Sequence, residues 1–249
     1  MSVEKVFDFI FGLFRKDLKV ILPSTLSLVP TALLSLIILQ GFTSVFSSII
    51  IRNAAQVLNS LLFYIPLAFI IFLFSILIHF FLLAVYSDIV KQAIKGEVNL
   101  INSFETGKKE FWKIFSTYFL AFIFLIGINV IILPLLFLGP LGIILFLILL
   151  FLINFLVYLF LFEIPPVIVF EGKSGIDAMK RSFEIGKSKF WNLLFIIFFF
   201  GLIYFSVNSA LSSVPFIGIL LLSISSLFLN SFYLMLPAAF YFFVFKQKA

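Results

Sequence analysis

Charge in this chain is confined to four short stretches, and long apolar runs separate them. All but one of its 17 basic and 11 acidic residues lie in 1–19, 87–113, 163–191 and 246–248; Arg52 is the exception. A backbone that crosses lipid must satisfy its own polar groups, so apolar runs of about 20 residues read as helices. The runs here are 20–39, 61–86, 114–137, 142–162, 192–211 and 217–245. The 249 residues are 63% hydrophobic and only 11% charged, too little polar surface to cover a water-soluble globule. Soluble domains carry about 25% charge. The expected fold is an all-α integral membrane protein, a single domain (1–249) of six transmembrane helices.

The charges also orient the chain. Sixteen of the 17 Lys and Arg residues fall in the two terminal segments and the loops 87–113 and 163–191, and only Arg52 falls on the other side. Loops this short obey the positive-inside rule, so both termini are expected in the cytoplasm of a multi-pass cell-membrane protein. Gly139 and Pro140 mark a tight turn between the third and fourth runs, and Ser212, Ser213 and Pro215 mark one between the fifth and sixth. Residues 40–60 read as a short surface helix holding Arg52 and Asn53, broken by Pro66 before the second span. Pro23 and Pro30 sit within the first span, where neighbours can re-satisfy freed carbonyls.

One ten-residue segment occurs twice. Residues 103–112 read SFETGKKEFW and 182–191 read SFEIGKSKFW, identical at seven positions that include the only two tryptophans, Trp112 and Trp191. A fainter third copy starts at Phe9 and Gly12. This points to three units of about 1–86, 87–162 and 163–249. In each of the two clear copies an in-plane amphipathic helix would precede a hairpin of spans. Its apolar stripe is Leu100, Phe104, Gly107 and Phe111 in one copy and Ile176, Met179, Phe183, Gly186 and Phe190 in the other. Ser174 with Asp177 looks like a capping box. Units that begin and end on one side are parallel repeats about the membrane normal, unlike the inverted repeats of many transporters.

The run Pro165, Pro166 and Glu171, then Ala178, Arg181 and Ser182, then Gly186 and Lys187, resembles the loop before the fifth span in a broad group of six-span prokaryotic membrane proteins of unknown function. That group includes the membrane domain attached to some glycerophosphodiester phosphodiesterases. Gly96 followed by Ser103 and Phe104 resembles the matching loop before the third span. The resemblance implies a fold and a membrane location, but no established activity. The soluble phosphodiesterase domain of some relatives has no counterpart here, and neither do its catalytic residues.

The side chains available for chemistry are few. Cysteine is absent, so there is no thiolate metal site or thiol nucleophile. His79, the sole histidine, lies in the second span and reads as a neutral imidazole hydrogen-bonded within the bundle. No acidic partner at its depth would complete a metal site or proton relay. Glu163, at the end of the fourth span, reads as a snorkelled, solvated carboxylate. Asn129, Asn154, Asn208 and Asn230 read as interhelical hydrogen-bonding groups. The alternative is a polar cavity lined by His79, Asn129, Asn154 and Asn230, with Glu163 at its mouth.

Lys108, Lys109, Trp112, Lys180, Arg181, Lys187 and Trp191 are candidate contacts to lipid headgroups. No cofactor or nucleic acid is expected. The leading reading is a non-enzymatic scaffold or accessory protein whose partners are membrane lipids or another membrane protein. The alternative is a small transporter or channel-like protein with a polar cavity near His79.

Overall fold

A computed structural model of the chain describes residues 3–51, 53–212 and 217–245. Its elements are α1 (Glu4–Lys16), a 3-10 stretch (Leu18–Ser24), α2 (Thr25–Ile50), α3 (Ala54–Ile94), α4 (Leu100–Ile132), a second 3-10 stretch (Leu133–Leu138), α5 (Gly139–Leu161), the single turn α6 (Ile164–Pro166), a π turn (Val167–Glu171), α7 (Gly175–Ser188), α8 (Phe190–Ser212), and α9 (Ile217–Phe240) with a closing π turn (Tyr241–Phe245). Five stretches are long and apolar enough to cross a membrane: Leu18–Ile50, Ala54–Ile94, Leu100–Glu171, Phe190–Leu211 and Ile224–Phe245. The third of these folds back at Gly139. Asn154 donates to Asn129 across 3.3 Å and Tyr118 donates to the Leu161 carbonyl across 3.2 Å, so α4 and α5 run antiparallel.

The end of α5 shows how polar backbone is managed inside an apolar bundle. Pro165 has no N–H, so the Leu161 carbonyl four residues back loses its helical donor. The Tyr118 hydroxyl fills that place. One residue earlier, the Phe160 carbonyl accepts the Ser182 hydroxyl of α7. Side chains from two other helices thus bond to carbonyls in the last turn of α5.

Three local expectations are corrected. Residues 40–60 form no surface helix: α2 runs to Ile50, α3 starts at Ala54, and Pro66 lies inside α3 without ending it. The hydroxyls of Thr43, Ser47 and Ser48 bond back to carbonyls of their own helix, and Ser44 meets Ser60 at 2.8 Å across the hairpin. The helical path therefore satisfies these polar groups without leaving the bundle. Arg52 itself lies outside the described residues, as do the Ser213–Pro215 turn, Lys246 and Lys248. Ser174 does precede α7, but its side chain makes no capping bond. The first amide of that helix, Gly175 N–H, instead donates to Thr117 Oγ1 of α4 at 2.9 Å.

The third correction concerns the two similar segments. The first is not a separate in-plane helix, because α4 is continuous over 33 residues from Leu100 to Ile132. The second is separate: α7 stops at Ser188 and α8 begins at Phe190. The difference falls where the sequences diverge. Glu110 and Lys113 pair at 2.8 Å across the junction in α4, a spacing that supports a helix. Lys189 and Asn192 hold those positions in the second copy.

The packing of the two copies nevertheless matches. Phe104 packs on Phe81 of α3 with ring centroids 5.9 Å apart, and Phe183 packs on Phe160 of α5 at 4.5 Å. A Cβ on Gly107 would sit 2.6 Å from Val85 and 2.9 Å from Phe81; one on Gly186 would sit 2.7 Å from Phe160. The buried stripe is therefore rotated from the expected one. Ser103, Gly107, Glu110 and Ile114 are buried in α4, and Ala178, Ser182, Ile185 and Gly186 in α7, while Ile176 and Phe183 are exposed. Small residues let backbones approach closely, which drives helix association in lipid better than large apolar ones.

The tightly packed core lies towards the charged ends of the helices. Leu82–Val90 of α3, Ile164–Val169, Ala178 and Ile185 of α7, and Leu234–Tyr241 are buried there together with Val6 and Ile10 of α1. Tyr86 is its polar hub: the hydroxyl accepts from Ser24 N–H at 3.1 Å and shares a 2.9 Å bond with Ser231 of α9. Towards the opposite ends large apolar side chains stand exposed, among them Phe74, Phe124, Phe137, Phe151 and Phe205, a surface suited to lipid.

Candidate functional site

A cavity of about 900 Å³ opens between α2, α3, α8 and α9, with Tyr158 of α5 at its side. Each helix offers a stripe at three- and four-residue spacing. These are Ser27, Pro30 and Thr31 of α2; Ser75, His79 and Phe80 of α3; Ile197, Phe200, Gly201 and Tyr204 of α8; Ser226, Leu229, Asn230, Tyr233 and Leu236 of α9. One face of each helix therefore lines the space. The hydroxyls of Thr31 and Ser27 bond to carbonyls in their own helix, at 2.7 and 2.6 Å.

His79 does not have the hydrogen bond expected of it. It finds no hydrogen-bond partner among the described residues; its ring stacks beside Tyr233, centroids 6.5 Å apart, and faces the cavity. Asn230 both lines the cavity and joins helices, donating to Ser27 Oγ at 2.8 Å. Asn129 and Asn154 form their own interhelical pair and line a second space of about 620 Å³. Tyr158 borders both spaces, and its hydroxyl is bonded to that of Tyr233. Among the described residues Asn208 bonds to the Tyr204 carbonyl of its own helix, at 2.7 Å. The structure thus brings His79 and Asn230 together and leaves the other asparagines apart.

Glu163 is the clearest departure from expectation. It is not solvated but fully buried, and neither carboxyl oxygen has a hydrogen-bond partner among the described residues. The chain turns at Glu163 into α6, and packing of α6 against α3, α4, α7 and α9 encloses it.

The headgroup candidates divide. Lys108, Lys109, Lys180 and Lys187 are exposed, and Trp112 and Trp191 are 67% and 76% exposed, each ring edge-on to its neighbour Phe111 or Phe190. Arg181 is engaged instead. Its Nε lies 3.0 Å from Glu171, its Nη1 lies 3.0 Å from Glu184, and its guanidinium lies over the Phe245 ring. The bond to Glu171 pushes its pKa above the ordinary arginine range, so the charge is permanent. Glu171 also takes Lys173 at 2.8 Å and the Tyr241 hydroxyl at 2.6 Å. This cluster ties α7 to the last turn of the described chain.

Sequence reading missed the serine and tyrosine lining of the cavity. The signal lay in spacing: Ser75 and His79, or Ser226, Asn230 and Tyr233, share a helix face. Only the assembly of four helices shows that these faces converge. Chemically the lining offers hydroxyls, an amide and an imidazole against apolar walls, with no charged side chain. No cluster of three or more His, Asp or Glu residues suited to a metal occurs among the described residues. No family model, curated protein or solved structure matches the chain.

Proposed function

We propose that this is a non-enzymatic membrane protein that holds a lipid-like amphiphile in the cavity beside His79. The observation that carries the reading is the lining itself. Uncharged hydrogen-bonding groups face a space otherwise walled by Leu, Ile, Phe and Pro side chains. Such a site accepts the esters and hydroxyls of a neutral polar segment together with hydrocarbon. Its volume lies within the ordinary range of ligand pockets, about 300–1,000 Å³.

Gly201 allows a direct test. It lines the cavity, and a Cβ added there meets no atom within 4 Å. Gly201→Trp is expected to fill the space, leave melting in detergent within a few degrees, and cut co-purified lipid in the cavity about tenfold, or ~1.4 kcal/mol. Native mass spectrometry of the two proteins reads this out. Unchanged lipid adducts in Gly201→Trp would refute the assignment.

A second reading, transport, is favoured by the His79 imidazole, which lines the cavity with no hydrogen-bond partner among the described residues. Flux of a solute across proteoliposomes, lost in Gly201→Trp, would favour it over simple lipid holding.

We further infer six crossings with both termini in the cytoplasm, built from parallel units. Supporting this are the sixteen-to-one basic bias, the reversal at Gly139, and the matched Phe104–Phe81 and Phe183–Phe160 packing. The fainter copy matches in part: Phe9 packs on Phe243 with ring centroids 4.9 Å apart, but Gly12 is exposed and a Cβ there would meet nothing within 4 Å. The resemblance of 165–187 to a loop of six-span prokaryotic proteins agrees with this layout. Single cysteines replacing Arg52, Lys108 and Lys187 test it together. An impermeant maleimide outside cells should reach the first and miss the other two, which hold equivalent places in the two copies. Labelling of only one of the pair would mean the units are inverted.

A further inference from the structure

A second concavity, about 460 Å³, runs between α1, α8 and α9. Phe11, Phe14 and Leu18 form one side, Ile203, Phe228 and Phe232 the other, and Arg15 is the one polar residue on it. Arg15 belongs to the last turn of α1, just before the chain enters the apolar stretch that begins at Leu18. That is the level at which phosphates of a bilayer lie. The ion pairs among the described residues use Lys113, Lys173 and Arg181; Arg15 pairs with no described carboxylate. Asp17, two residues on, makes no ion pair with Arg15; its Oδ1 accepts from Lys19 N–H at 3.0 Å. An arginine with no ion-pair partner among the described residues thus stands at the mouth of a groove whose other lining residues are apolar. Arginine is the side chain best matched to phosphate oxygens, which its planar fork binds in pairs.

We propose that this groove binds one acyl chain of an anionic phospholipid whose phosphate is held by Arg15. The groove shares Phe200 and Leu229 with the cavity beside His79, so the bound chain lies against the cavity wall. The assignment stands independently of what the cavity holds. Its occupant is defined by charge complementarity at Arg15 and by hydrocarbon along the rest.

Native mass spectrometry in detergent, titrating dioleoyl phosphatidylglycerol against dioleoyl phosphatidylcholine, tests it. The native protein should retain the anionic lipid about fivefold better, the effect expected of one near-surface basic residue. Arg15→Gln should abolish that preference, Arg15→Lys should keep most of it, and Lys95→Gln, at an exposed basic residue that lines neither concavity, should leave it unchanged. Ile203→Trp, at a position lining only the groove, should displace both lipids from this site, while Gly201→Trp should spare it. A native protein that binds the two lipids equally would overturn the proposal. So would a preference that survives Arg15→Gln, or a dimer that Ile203→Trp dissociates, which would make the groove a contact between copies. Should Arg15→Gln not fold, the Arg15→Lys and Ile203→Trp results decide the same question.

Discussion

Gly142→Ala is expected to destabilise the protein by about 2–4 kcal/mol, the range of severe overpacking. A Cβ at this position would lie 2.0 Å from the Leu135 carbonyl oxygen and 2.7 Å from Leu138 Cβ. The first obstacle is backbone, so no rotamer change relieves it. The turn is further tied down by Gly139, whose φ of 72° suits glycine. Relief therefore requires moving the 3-10 stretch away from α5, which would open the hairpin that aligns Asn129 with Asn154 and Tyr118 with Leu161. Thermal unfolding in detergent measures the loss. Gly127→Ala, where an added Cβ meets nothing within 4 Å, is the control and should melt like the native protein. Equal melting of the two variants would show that the turn is not packed as described.

Glu163→Leu is expected to act in the opposite direction and raise stability by about 1–3 kcal/mol. A buried polar group without a hydrogen bond costs that much, and an apolar side chain of similar size removes the cost. Glu163 is fully buried with both carboxyl oxygens unpartnered among the described residues. Glu163→Gln, still polar and similar in shape, should gain little. The comparison therefore isolates the cost of burying polar atoms from any effect of packing. A Leu variant that melts lower than both would mean that the carboxyl contributes bonds that stabilise the fold. A stabilised Leu variant would instead show a costly group retained at the turn between α5 and α6.

Much of the helix content was legible in the pattern of apolar runs because lipid leaves a spanning backbone few options. The errors fell where the apolar signal weakens. Residues 40–60 carry serines, a threonine and two asparagines and read as a short surface helix. In the bundle the hydroxyls bond to their own helix or across the hairpin, so the helices extend well into this segment. The repeated segment was visible as a sequence, and its glycine and phenylalanine proved to be the contact positions. Its buried face was misjudged because large apolar residues mark the core in water, whereas small residues mark helix contacts in lipid. Glu163 was misplaced for a related reason. Its position at a span end suggests solvent, and only the packing of α6 encloses it.

The sequence by itself determined what is local or set by the solvent: which stretches are apolar and mostly helical, where charge collects, and the turn at Gly139. These follow from one residue's preference or from a period along one helix. The tertiary structure alone decided which faces meet. His79 and Asn230 became neighbours across a cavity, Asn129 and Asn154 a separate pair, and Arg15 a lone cation at an apolar groove. A helix carries its periodicity in its own residues, but its rotation and partner are chosen jointly with every other helix. Convergence of four faces is therefore a property of the assembly and of no single segment.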